Sequence, residues 1–119
     1  MLNVLVKGEA NGFVLIRAVQ PLRGIELMKR RRGVDDKHQL CSGPGKLTQA
    51  FEITNRQHEM DLCTDPLHCF AFPDVDSSRR SQAKADVVAD ERIGITRSAH
   101  HPWRFTIRGS KFVSRRVKL

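Results

Sequence analysis

Tyrosine is absent from this 119-residue sequence, and tryptophan occurs only once. The absence excludes any site among these residues that depends on tyrosine rings or hydroxyl groups. Long hydrophobic runs are also missing, and the N-terminus lacks the charged-then-apolar pattern of a signal peptide. We therefore expect a soluble globular protein that is not secreted and has no membrane partner.

Cysteine is scarce, and its three positions, Cys41, Cys63 and Cys69, are odd in number and irregularly spaced. This pattern argues against a disulfide framework and favours a reducing compartment. His58, Cys63, His68 and Cys69 cluster in the sequence, and side chains of these types can bind zinc. None of their spacings forms a close pair on one element, so we expect scattered loop residues and no metal site.

Acidic residues are few relative to basic ones: 13 Asp and Glu stand against 21 Lys and Arg, which gives a net charge of +8. This balance favours a polyanionic partner, most simply nucleic acid, because lysine and arginine neutralise phosphates. On charge alone, a small ribosome-associated or RNA-binding protein is an alternative interpretation. The length suits one domain over residues 1–119, with no repeat or linker that would divide it.

Two apolar runs near the N-terminus predict a β-hairpin. The runs are Asn3–Lys7 and Phe13–Val19, and the segment Gly8–Gly12 between them carries turn residues that include an Asn-Gly pair. Arg17 interrupts the second run. If both faces of that strand are covered, Arg17 is a buried cation that needs a carboxylate or carbonyl partner. Otherwise it lies at a solvent-facing end of the strand.

A first helix is predicted to begin at Pro21, because the fixed φ of proline suits a first helical turn. The basic run Lys29–Arg32, followed by Gly33, indicates the C-terminus of this helix. The four cations are either a solvated helix end or a contact for phosphate groups, and the pattern leaves both open.

The stretch Leu40–Phe51 predicts a loop that turns into a second helix. Ser42 or Gly43 suits the N-cap, and Pro44 suits the first helical position because its missing N–H has no partner there. Lys46 is unexpected in the first turn, since the helix dipole disfavours a cation there. Either an anion docks at the exposed N–H groups with Lys46 as a second contact, or Lys46 is a solvated lysine beside an ordinary capped helix.

The C-terminal third predicts a return to strands. Glu91–Thr96 and Trp103–Ile107 are expected to be strands, separated by a turn over Arg97–Pro102. Before them, Thr64–Lys84 is rich in loop-forming residues. Hairpin-like segments at both ends of the chain, with two helices between them, predict the α+β class. We expect a single domain with a curved, mostly antiparallel sheet and flanking helices.

Four blocks of the sequence carry a resemblance to a known family. In order, they are Leu15–Leu22 (LIRAVQPL), Leu40–Ala50 (LCSGPGKLTQA), Arg92–Ile95 (RIGI), and Pro102–Phe105 (PWRF) with Arg108–Ser110 (RGS). The second block resembles the LCSGPxKLxQA signature of the alkyladenine (3-methyladenine) DNA glycosylase family. The other three are similar to segments of that family in the same order, so the resemblance extends over nearly the whole chain.

This resemblance implies a base-excision repair enzyme that flips an alkylated or deaminated purine out of duplex DNA and hydrolyses its N-glycosidic bond. It implies no metal and no cofactor. A water activated by a glutamate attacks the sugar carbon in this family. By the resemblance, Arg17 and the Ile93 carbonyl would hold that water, and Asn3 would line the base pocket.

By the same resemblance, Ser42, Gly43 and Lys46 would belong to the helix entrance that contacts DNA phosphates. The family's catalytic glutamate and base-sandwiching tyrosines lie upstream of the stretch that this chain resembles. We therefore expect the chain alone to be inactive; the alternative is a non-catalytic, basic DNA-binding remnant. We expect a monomer in the nucleoid-associated cytoplasm or the nucleus. Without neighbouring strands, four apolar side chains are expected to be exposed: Val4, Val6, Val14 and Ile16.

Overall fold

The computed structural model describes residues 1–8, 10, 12–62 and 86–117. Its helices and strands are β1 (Asn3–Val6), β2 (Gly12–Leu15), α1 (Ile25–Arg32), α2 (Pro44–Phe51), β3 (Val87–Asp90) and β4 (Arg104–Ile107), with short 3₁₀ helices at Lys37–Gln39 and Asn55–Gln57. None of the helices in this described part is long and apolar enough to cross a bilayer.

The chain divides into two compact units. The first comprises Met1–Glu59 and Lys111–Arg115, and the second comprises the described residues of Met60–Ser110 and of Arg116–Leu119. Each unit holds one antiparallel strand pair, β1 with β2 and β3 with β4, and both helices lie in the first unit. The predicted α+β class with antiparallel strands is confirmed, and the described strands form two separate two-stranded sheets.

The first hairpin is shorter than predicted. β1 pairs with β2 from Asn3 opposite Leu15 to Val6 opposite Gly12, so the strand expected to reach Val19 ends at Leu15. The Ile16 N–H still donates across the hairpin to the Leu2 carbonyl at 3.0 Å, just outside β1. The Val19 N–H donates to the Cys41 carbonyl at 3.2 Å, which ties this segment to the loop before α2.

The first helix ends where predicted but begins later. The prediction that it starts at Pro21 is wrong: α1 begins at Ile25, after Gly24. Gly24 has φ 69°, a left-handed conformation that interrupts any helix arriving from Pro21. At the other end, Gly33 has φ 64° and its N–H bonds to the Lys29 carbonyl at 2.7 Å, a left-handed glycine cap.

The second helix matches its prediction closely. Gly43 is the N-cap, Pro44 is the first helical residue, and the side chains of Leu47 and Ala50 are buried. They join a small core in the first unit, whose buried apolar residues are Met28, Leu40, Cys41, Leu47 and Ala50. The loop and helix of the Leu40–Phe51 stretch thus form most of this core.

In the second unit, one strand lies earlier than predicted. The expected strand over Glu91–Thr96 is wrong: β3 covers Val87–Asp90, whereas β4 falls within the predicted 103–107 strand. Asp90 stands opposite Arg104 in the register and their side chains form a 3.0 Å ion pair that helps to set this pairing. Gly94, at φ 74°, turns the chain within the expected strand. The predicted loop at 64–84 lies outside the described residues, as do Cys63, His68 and Cys69.

Candidate anion-binding site at the start of the second helix

The loop before α2 is anchored through its backbone. Three successive carbonyl groups in Leu40–Ser42 each accept a hydrogen bond from a different segment of the first unit. The three pairs are Arg32 Nε to Leu40 O at 3.2 Å, Val19 N to Cys41 O at 3.2 Å, and Ser114 N to Ser42 O at 2.9 Å. Because these donors come from three parts of the chain, the loop holds the N-terminus of α2 in one fixed orientation.

Lys46 is positioned by two neutral partners. Its ammonium donates to Gln39 Oε1 at 2.9 Å and to Ser42 Oγ at 3.3 Å, and its side chain is half-buried. In the described part of the chain, no carboxylate forms an ion pair with it. An ammonium has three donors, and neutral oxygens do not cancel its charge. Lys46 is therefore an ordered, uncompensated cation instead of a freely solvated side chain.

The helix end beside Lys46 adds positive potential. Gly43 supplies no side-chain cap to the N–H groups of the first turn, so their partial positive charge stays uncovered by a side chain. A cation at this end is unfavourable unless an anion lies close to both. The arrangement suits an anion with several acceptor oxygens, such as a phosphate.

Gly43 and Gly45, at the start of α2, leave open space beside the backbone. Gly43 has φ −157°, an extended conformation open to any residue, and a Cβ there would meet only the Lys46 stem, at 3.8 Å. A Cβ at Gly45 would meet nothing within 4 Å. Neither position requires glycine for the fold of the described residues. Gly45 is exposed and Gly43 is buried, so the open side of this helix end lies at Gly45.

The other predicted site residues lie on other segments of the chain. Arg17 lies two residues beyond β2 and is half-buried, and the described residues give it no hydrogen-bond or ion-pair partner. Asn3 is exposed at the start of β1, opposite Leu15. Ile93 is half-buried in the second unit. The roles assigned to Arg17, Ile93 and Asn3 stay predictions.

The segment that carries Ile93 is held by its neighbour Arg92. The Arg92 guanidinium donates to the carbonyls of Arg97 and Ser98 at 3.1 and 3.0 Å, which closes the turn over 92–98. The same guanidinium lies 5.0 Å from the centre of the Trp103 ring. The local geometry around Ile93 is thus set by a cation–π contact and two hydrogen bonds that the sequence pattern did not reveal.

The basic end of α1 has a structural role that sequence reasoning missed. Arg31 donates to the Ala50 carbonyl at 3.1 Å and pairs with the Glu52 carboxylate, so it covers the C-terminus of α2. Lys29 pairs with Glu26 at 3.0 Å, and that hydrogen bond raises the pKa of Lys29. Arg31 therefore holds the two helices together, whereas Lys29 pairs within its own helix.

Arg32 connects this helix end to the anchored loop. Besides Leu40, it donates to the side chain of Gln49 on α2. We expect Arg32→Met to lower the free energy of unfolding by about 1–3 kcal/mol, because the buried Leu40 carbonyl loses its charged donor. Urea unfolding followed by far-UV circular dichroism measures the change. Arg30→Met, at an exposed position of the same helix, is the control and should change the free energy by less than about 0.5 kcal/mol. Equal losses in the two variants would contradict this assignment.

Cys41 is a core residue. Its side chain is 1% exposed, its Sγ lies 4.0 Å from Met28 Sδ, and burial raises the pKa of the thiol. A buried, protonated thiol is a poor nucleophile. Cys41 therefore supports the loop through packing.

Comparison with known proteins gives a consistent result. The family model of methylpurine-DNA glycosylase (MPG) matches residues 1–111. A protein of Rhodopseudomonas palustris (strain HaA2), provisionally named 3-methyladenine DNA glycosylase, is 45% identical over 113 residues, which cover 94% of this chain and 52% of that protein. A protein of the same name from Nitrobacter winogradskyi is 48% identical over 102 residues, covering 86% of this chain and 45% of the relative.

A third protein of the same name, from Agrobacterium fabrum, is 47% identical over 105 residues, which cover 88% of this chain and 50% of the relative. The chain therefore spans about half the length of the curated relatives it matches. Almost all of its own length takes part in the likeness.

Proposed function

This chain belongs to the methylpurine-DNA glycosylase family, and from that premise we propose that it takes part in removing alkylated purines from duplex DNA. The reaction would hydrolyse the N-glycosidic bond of a flipped base, with water as the only co-reactant and no cofactor. The name shared by the relatives points to 3-methyladenine as one substrate.

The contribution of the described residues would be to hold DNA. The observation that carries this proposal is the ordered Lys46 ammonium, whose partners among the described residues are neutral and which lies at a helix N-terminus without a side-chain cap. A backbone phosphate would supply the anion that this arrangement suits, and Ser42 would keep Lys46 aimed at it. The net charge of +8 supports the same partner through long-range attraction.

The chemical step would use residues away from this turn. Arg17 and the Ile93 carbonyl would orient the attacking water, and Asn3 would contact the flipped base. One observation supports the role of Arg17: its side chain is a half-buried cation without a partner among the described residues. A guanidinium in that state can donate to a water or a substrate group without first breaking an ion pair.

The chain alone is expected to bind duplex DNA and to release no base. The family's water-activating glutamate lies outside the stretch that this chain resembles, and Glu26 is paired with Lys29. The test incubates the chain with duplexes containing hypoxanthine or an alkylated adenine, treats them with alkali to cut abasic sites, and measures strand cleavage. Fluorescence anisotropy on the same duplexes measures binding. Base release above the protein-free control would contradict the expected inactivity.

A non-catalytic DNA-binding module is the second candidate. The Lys46 arrangement favours it equally, because phosphate binding needs no catalytic carboxylate. The two candidates separate when the chain is combined with the segment of a relative that lies outside the matched half. Base release by that mixture supports the glycosylase, whereas DNA binding without base release supports the binding module.

A further inference from the structure

The first hairpin has apolar side chains exposed on both faces. Leu5 stands opposite Phe13 in the register, and both are exposed on one face, Phe13 by 73%. Val14 and Val6 are exposed on the other face. Exposure expected from the sequence is thus confirmed for Val6 and Val14, whereas Val4 and Ile16 are half-buried.

The second hairpin has one apolar face without a cover. Val87 stands opposite Ile107, and Ala89 stands opposite Phe105; all four are exposed, Phe105 by 67%. The alternate residues point to the opposite face and are buried or half-buried, including Arg104. One face of this hairpin is therefore largely covered, and the other is open.

Such faces need a partner. A two-stranded hairpin is at best marginally stable in water, and contiguous exposed apolar surface marks a contact site in soluble proteins. In the described part of the chain, more large apolar side chains are exposed than are buried in the core. Each described strand also has a single strand neighbour, which leaves backbone groups for pairing with a further strand.

We infer that the exposed apolar faces of the two hairpins pack against the segment equivalent to the half of the relatives that this chain does not cover. The relatives carry about as many residues again as the stretch matched here, which is enough chain to cover such faces. A second copy of this chain fits less well, because each copy carries a net charge of +8 and the copies repel one another. The inference rests on family membership and is independent of the proposed phosphate contact.

Assembly can be measured without DNA. The chain is mixed with the segment of the Rhodopseudomonas palustris HaA2 relative that lies outside the 113 matched residues, and mass is measured by size-exclusion chromatography with light scattering. A one-to-one complex is expected, with slower amide hydrogen exchange at residues 3–6, 12–15, 87–90 and 104–107. Separate elution of the two chains, or a dimer of this chain that excludes the segment, would overturn the inference.

Two variants test the faces one at a time. Phe13→Ser and Phe105→Ser each replace an exposed ring and should weaken the complex by about tenfold or more, measured by calorimetric titration. Leu22→Ser is the matched control, because Leu22 is 79% exposed and lies outside both hairpins. Circular dichroism checks that all three variants are folded. Full affinity in both phenylalanine variants overturns the inference, whereas normal assembly without DNA binding contradicts only the proposed function.

Discussion

Lys46→Ala is expected to weaken binding to duplex DNA by roughly tenfold to a hundredfold, which is the range for loss of a hydrogen bond to a charged group. The ammonium is already held in place by Gln39 and Ser42, so little side-chain entropy is lost when a phosphate binds. The loss should be similar for every DNA sequence and for damaged and undamaged duplexes, because a phosphate contact carries no base information.

The salt dependence gives the sharper readout. Removing one phosphate contact should make the slope of log affinity against log salt shallower by about one unit. Fluorescence anisotropy at several salt concentrations measures that slope. Lys7→Ala is the control: it removes the same charge from an exposed lysine that follows β1. An unchanged slope in Lys46→Ala, or an equal change in both variants, would contradict the contact.

Leu47→Ala is expected to lower the free energy of unfolding by about 2–5 kcal/mol. Leu47 is 2% exposed and packs in the small core with Met28, Leu40 and Ala50, where few other side chains can move to fill a cavity. The total stability of a domain is only about 5–15 kcal/mol, so this single change could remove a large share of it.

Urea unfolding followed by far-UV circular dichroism measures the loss. Leu22→Ala is the matched control, because the same substitution at a side chain that is 79% exposed should cost less than about 0.5 kcal/mol. If the two variants lost equal stability, α2 would not be packed as described. The result also bears on the anion site, since Leu47 follows Lys46 in the helix and its packing orients that turn.

Local signals determined the elements that the sequence predicted correctly. Pro44 begins α2 because its missing N–H needs no partner in a first turn, and Gly33 ends α1 because it adopts a left-handed conformation without a Cβ penalty. The α+β class followed from the order of apolar runs and helical stretches. Each of these signals lies within a few residues of the feature that it specifies.

Contacts between distant segments decided what the sequence left open. The predicted strand at Glu91–Thr96 was wrong, because pairing with β4, including the ion pair between Asp90 and Arg104, places the strand at Val87–Asp90. The direction of Arg31 was settled by the carbonyl of Ala50, nineteen residues away. Periodicity and propensity carry no information about such partners, because they describe only neighbouring residues.

The candidate anion-binding site at the start of α2 likewise depends partly on local sequence signals and partly on contacts between distant segments. By itself, the sequence determined the family signature, the start of α2 and the presence of a lysine in its first turn, because caps and motifs are local. The structure shows that Lys46 is held by Gln39 and Ser42, which lie only seven and four residues before it. Only the tertiary structure decided that the loop before Lys46 is anchored by Arg32, Val19 and Ser114, because these donors come from separate parts of the chain and folding alone brings them to one place.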